Sequence, residues 1–268
     1  MAAVLVPNPQ RNRLLEWSAR AWFLAALVGQ WLFAAYTLWV LAWPLLVGDG
    51  EAVNRTQLIT GHVAGDTLGN GALLGHVLAA AVLSLTGLLQ LVPALRQRFP
   101  RWHRAAGRVF LTLALVGVVS GLYMTWLRGS RLGDVSAVAI SLNGLLIAVA
   151  VAMAWRLARQ RRFAEHRRWA IRAFLLVSGV WALRLGLMAW ILVNQGPRGN
   201  TDQLDGAFDV VWVFGCYLLP LAVAELYFRA ERGGLALQRV AAAALLAGAA
   251  ATAVGTFAAF LWMWLPHF

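Results

Sequence analysis

Apolar residues run in long unbroken stretches along the whole chain, punctuated by Gly, Pro and clusters of charge, with no two-residue alternation. Stretches of this kind predict helices rather than barrel strands, because a backbone in lipid must satisfy its own hydrogen bonds and a helix does so within one segment. Seven helices are expected, at about 21 to 47, 72 to 95, 105 to 127, 135 to 157, 170 to 193, 207 to 228 and 237 to 264, each at or above the roughly 20 residues that a crossing needs. The expected fold is all-α: a polytopic transmembrane helical bundle of about seven spans. Residues 1–268 form a single integral membrane domain, with a four-helix core of two hairpins over 70–195. The first span and an outer loop (1–69) precede the core, and two additional spans (196–268) follow it.

Composition sharpens this picture by exclusion. The hydrophobic set makes up 61% of the 268 residues and charged residues only 13%, against about 45–50% and 25% in soluble domains. A soluble domain, a disordered chain, collagen and a disulfide scaffold are therefore excluded. The lone Cys216 forms no intramolecular disulfide and supplies no CxxC, CxxCH or zinc pattern. The stretch from Trp22 to Val47 is longer than a signal-peptide core, so it reads as an uncleaved first span.

Charge sets the orientation. All 23 basic residues are Arg and the net charge is +12. With the N-terminus in the cytoplasm, 18 arginines fall inside and 4 outside (Arg55, Arg128, Arg131 and Arg198), leaving Arg184 within a span. That asymmetry is the positive-inside pattern of a bacterial inner (cytoplasmic) membrane protein, with its C-terminus outside. Tryptophans such as Trp39, Trp43, Trp126 and Trp262 near the span ends suit an aromatic belt. The Arg clusters imply contact with anionic phospholipids at the cytoplasmic face. Spread over short membrane loops, they do not suit nucleic acid. The loop from Gly48 to Gly71 reads either as a lid or as a solvated connection, and the Asn54-Arg55-Thr56 sequon carries almost no weight in a bacterial chain.

A short internal repeat marks the core. One cytoplasmic connection reads Arg96-Gln97-Arg98-Phe99, then His103-Arg104, and the next reads Arg159-Gln160-Arg161-Arg162-Phe163, then His166-Arg167. Each opens a helix that carries a further arginine, Arg108 or Arg172. Two such hairpins place His103 and His166 at one depth on diagonally opposite helices.

That juxtaposition suggests chemistry. Paired neutral imidazoles on facing helices are axial ligands for haem b, and Arg104, Arg108, Arg167 and Arg172 are candidates for its propionates. The competing reading makes each imidazole a structural bond to a carbonyl or a lipid phosphate. Polar groups at membrane depth are costly and so mark function: His76 and Gln90 on the second helix, Asn143 on the fourth, Arg184 on the fifth, and Asp209 and Glu225 on the sixth. His76, Gln90, Asn143 and Arg184 are expected to line one pocket, with Gln90, Asn143 and Arg184 as substrate contacts and His76 as a further ligand candidate. Asp209 is the expected acidic partner of Arg184. His62, in the loop, reaches His76 only if the loop folds back. Gly71 with Gly75, Gly117 with Gly121, and the Ala-rich last span are expected to be close-packing surfaces.

Gly87-Leu88-Leu89-Gln90, Trp102-His103-Arg104-Ala105-Ala106-Gly107-Arg108 and His166-Arg167-Arg168-Trp169-Ala170-Ile171-Arg172, followed by Arg184, resemble the bacterial family of predicted membrane proteins of unknown function DUF2306. The resemblance covers roughly residues 70 to 195. It implies a multi-span inner-membrane protein whose His, Gln and Arg positions carry the family's identity, and it supplies no reaction. A looser similarity to dihaem four-helix membrane cytochromes rests on His-bearing helices alone. Three readings follow: a haem-binding or quinone-linked redox protein, a lipid- or small-anion-binding protein or carrier, and a structural subunit with a membrane partner or a second copy of itself. Whether the chain is an enzyme stays open, and no metal site apart from haem is expected. Nucleotide loops, nucleophile elbows and zinc-protease motifs do not occur.

Overall fold

The computed structural model describes residues 13–55, 61–129 and 133–268; Arg11, Arg131 and the Thr56 of the sequon lie outside the described residues. All regular structure among these residues is helical. Helix α1 (Arg13–Tyr36) runs through a π-helical stretch into α2 (Trp43–Val47), and α3 (Gly50–Asn54) is a single turn in the following loop. Next come α4 (Thr67–Thr86), α5 (Pro93–Arg98), α6 (Pro100–Leu122), α7 (Asp134–Arg159), α8 (Phe163–Val177), α9 (Gly179–Asn194), α10 (Ala207–Ala230) and α11 (Leu235–Ala259). Six helices, counted with their π or 3-10 extensions, are long and apolar enough to cross a bilayer, and the pair α8–α9 taken as one crossing makes seven. The helices begin before their apolar windows, at Arg13, Thr67 and Pro100 rather than near 21, 72 and 105, because backbone hydrogen bonding carries on into polar residues that hydropathy does not count. The second crossing ends at Leu91. Val92, held extended (φ −78, ψ 112) ahead of Pro93, breaks it, as a residue preceding proline does.

The fifth crossing is bent by 53° between α8 and α9. Ser178 and Gly179 occupy the bend, a pairing known to kink helices. The Ser178 hydroxyl donates to the Phe174 carbonyl (2.8 Å) and accepts from Gln30 of α1 (3.0 Å). Asn143 of α7 donates to the Leu176 carbonyl (3.1 Å). The bend gives the two halves different neighbours: α8 packs on α7 and α10, and α9 on α10 and α11.

The core hairpins assemble in sequence order, α4 on α6, α6 on α7 and α7 on α8. At their centre the rings of Phe110 and Phe174 each come within 3.0 Å of where a Cβ on Gly87 would stand. Outside them α1 packs most extensively against α11, where Ala241, Ala242, Ala258 and Ala259 are buried, as the Ala-rich span leads one to expect. The glycine expectation is corrected. Nothing lies within 4 Å of a Cβ built on Gly71, Gly75 or Gly117. Tight helix-to-helix approaches occur instead at other glycines, among them Gly255, whose Cβ would meet the Leu185 carbonyl oxygen at 2.6 Å, and Gly186, against which the Trp212 indole lies flush.

We call the end at which α1 begins basal and the opposite end distal. The described parts of the distal loop are held by side-chain hydrogen bonds. Asn54 brackets His62 with two main-chain hydrogen bonds, 2.9 and 2.7 Å, and Asn70 does the same for Val63, 2.7 and 3.0 Å. Asp66 caps α4 at the Gly69 N–H (2.8 Å) and accepts from Arg128 at the end of the third crossing (2.8 Å). Both donors hold the Asp66 carboxyl below its ordinary range, the Gly69 N–H more than Arg128.

Candidate functional site

The polar residues separate into two neighbourhoods rather than the single pocket expected. The basal one forms because α6 and α8 both start at that end with a histidine one turn in: His103 follows Pro100 by three residues and His166 follows Phe163 by three. His103 is near enough to His166, Arg96 and Arg104 to interact with their charge. The His166 Nδ1–H donates to the Ala154 carbonyl of α7 at 2.9 Å. That bond fixes the ring and leaves Nε2 as the lone-pair nitrogen, the usual outer-shell arrangement of a metal-ligating imidazole. It is also the carbonyl bond that the structural reading of the sequence anticipates.

Two further groups here stay unsatisfied. His103 Nδ1 is buried without a hydrogen-bond partner, and so are both amide atoms of Gln90. Gln90 Oε1 lies 3.5 Å from where a Cβ on Gly107 would stand, so the amide faces α6 one turn along from His103. Buried polar groups are nearly always bonded, and their concentration marks a place where the fold withholds partners.

The arginines around this site are not equivalent. Arg172 forms a two-pronged pair with Glu225 of α10 (2.6 and 2.9 Å) and lies over the rings of Trp169 and Phe228. Arg167 pairs with Glu231 (3.1 Å). Both therefore leave the set of free anion-binding groups, a correction that follows from having a carboxylate on the facing helix. Arg104 and Arg108 are exposed, with no carboxylate partner among the described residues.

The second neighbourhood lies between α1, α4, α6 and α9. His76 and Arg184 stand about 13 and 15 Å from the distal ends of α4 and α9, at 1.5 Å per residue, which is near the middle of a ~30 Å hydrocarbon core. Ser120 donates its hydroxyl hydrogen to the Val116 carbonyl (2.7 Å), so it accepts from His76 Nδ1–H across a 2.9 Å contact. Arg184 lies within electrostatic reach of His76 and of Tyr36. Its guanidinium stands 5.6 Å from the Phe33 ring centroid and donates to the Val180 carbonyl of its own helix (3.3 Å). Among the described residues no carboxylate pairs with it. A cation at this depth costs about 2.5–3.5 kcal/mol on insertion scales. Trp264, fully buried, packs tilted on the same Phe33 ring and stacks on Tyr36, with its indole N–H unpartnered.

Asp209 is not the partner of Arg184. It is fully buried at the start of α10 and accepts from Asn200 (2.7 Å), the Thr201 N–H (2.8 Å) and the Gly206 N–H (3.3 Å). Three of the carboxylate's acceptor positions are used within its own loop, and no ion pair joins it to Arg184 among the described residues. Asn143 lies at the bend, its amide nitrogen against Ser178–Gly179 and its Oδ1 unpartnered. His62 packs on Gly50 in the distal loop. Sequence reasoning did not find Trp264 or Tyr36, whose aromatic character reads as ordinary belt or core. No cluster of three or more His, Cys, Asp or Glu side chains occurs among the described residues.

A family model described as a predicted membrane protein, DUF2306, matches residues 73–228, and the chain belongs to this family. The match begins in α4 and extends beyond the four core crossings through almost all of α10. No curated protein and no solved structure matches.

Proposed function

We propose that the chain is a membrane electron carrier that holds a b-type haem between α6 and α8, with His103 and His166 as axial ligands. The observation that carries this reading is the proximity of two imidazoles, each one turn into a helix that starts at the basal end, one of them bonded through Nδ1 to the Ala154 carbonyl. Two imidazoles make an incomplete cage for a bare ion. They suit an iron whose equatorial positions are already filled by a tetrapyrrole. In this reading Arg104 and Arg108 hold the propionates, and Gln90 gives its amide to the ring edge or to an ordered water. Phe110 and Phe174, two turns along from the histidines, close the apolar side of the site.

The same proposal places the basal end in the cytoplasm of a bacterial inner membrane, beside anionic phospholipids, with the C-terminus outside. The bias of arginine toward that end supports it. The test is an absorption spectrum of the detergent-purified protein, oxidised and dithionite-reduced, after expression with added haem precursor. A Soret band with reduced α and β bands, lost in both His103→Ala and His166→Ala, is the expected result. A featureless spectrum ends the haem reading and leaves His166 as a structural residue bonded to Ala154.

A further inference from the structure

The Arg184 neighbourhood does not depend on haem, and its chemistry points in one direction. A guanidinium near mid-membrane lies over the Phe33 ring, within electrostatic reach of Tyr36, and donates to one carbonyl of its own helix, with no carboxylate paired to it among the described residues. An indole N–H stands beside the same Phe33 and Tyr36 rings without a partner. His76, which gives its Nδ1–H to Ser120, lies within electrostatic reach of Arg184. Two unspent donors and an uncompensated positive charge lie among rings in a low-dielectric interior, where an anion is attracted far more strongly than in water. The planar fork of a guanidinium matches a carboxylate through two parallel bonds. We propose that Arg184 and Trp264, bordered by Phe33, Tyr36 and His76, form a binding site for the carboxylate of a monoanionic ligand.

One charge on the ligand cancels the one charge on the protein, so a monoanion fits better than a dianion. The rings favour a carboxylate joined to an apolar body. Two sources supply that chemistry: a fatty acid arriving through the bilayer, and a small aromatic or aliphatic acid arriving from water.

The experiment is calorimetric titration of the full-length chain in phosphatidylcholine nanodiscs with decanoate and, separately, with benzoate, using empty nanodiscs as the blank. Saturable binding of decanoate alone identifies the bilayer source, and saturable binding of benzoate identifies the aqueous one. Arg184→Gln is expected to weaken binding by at least about tenfold, as loss of one partner of a buried charge pair does. Trp264→Phe keeps the ring, removes the N–H and is expected to weaken binding a few-fold. If Arg184→Gln does not assemble, Arg184→Lys, which keeps the charge and loses the fork, decides together with Trp264→Phe. Unchanged affinity in the variants that fold, or no saturable binding of either acid, overturns the proposal. Repeating the titration with His103→Ala separates this outcome from the haem reading, because that variant leaves the Arg184 site untouched.

Discussion

Arg172 and Arg184 lie one residue type and twelve positions apart on the same bent crossing, yet they live in opposite circumstances. Arg172, near the basal end, spends its fork on Glu225 and its faces on Trp169 and Phe228. Arg184, past the bend, has the face of Phe33 and the carbonyl of Val180. The first is a clamp between α8 and α10 whose capacity is used within the fold. The second keeps most of its hydrogen-bonding capacity in the place where an unmatched charge is most costly. Stability explains the first residue and fails to explain the second, and a charge at membrane depth that stability does not explain is the better marker of a ligand.

The comparison breaks if the two arginines respond alike to removal. Arg184→Met, which fills similar space without charge, is expected to raise stability by up to about 2 kcal/mol, part of the insertion cost being offset by lost ring and carbonyl contacts. Unfolding by denaturing detergent, followed by circular dichroism, measures it. A loss of stability would mean that Arg184 is structural after all. Arg172→Met is expected to go the other way, lowering stability by about 1–2 kcal/mol, because a two-pronged pair is lost and Glu225 is left beside apolar rings, with solvent screening moderating the effect. Arg167, which reaches both Glu231 oxygens through one nitrogen (3.1 and 3.3 Å) and is more exposed, should show a smaller loss. The smallest effect concerns the distal loop. Since Asp66 is held below the ordinary carboxylate range by Gly69 and Arg128, its contribution is complete above the unfolded aspartate pKa of about 3.9 and fades as pH falls through the lowered folded value. Proteolysis of the distal loop should quicken below that range in the wild type, and Asp66→Asn should lose the pH dependence.

Much of the architecture was legible before any coordinate was considered. Apolar length alone located seven crossings, since no other feature of a chain produces runs of that size. The bend in the fifth was not legible, because Ser178 and Gly179 sit in an apolar run and hydropathy carries no information about backbone direction. The basal imidazole pair was readable from a repeat, His-Arg after Arg-Gln-Arg, that fixes depth and leaves the rest to helix order. Assigning Asp209 to Arg184 failed for a definable reason. Adjacency in the chain suggested a pair, but loop N–H groups beside Asp209 offer a carboxylate three bonds at no distance cost. The Arg172–Glu225 clamp was missed although both residues were noted, because pairing them requires knowing that α10 packs on α8.

The α1–α11 contact has a consequence for how the chain is made. Helix α1 finds its principal partner in α11, which is synthesised after the other crossings described, so α1 must wait in the bilayer, its polar Gln30 without the Ser178 hydroxyl until the fifth crossing is made. Closure of the bundle therefore follows the synthesis of α11. The intervening interval is when a chaperone of membrane insertion, or a quality-control protease, would meet this protein in its least finished form.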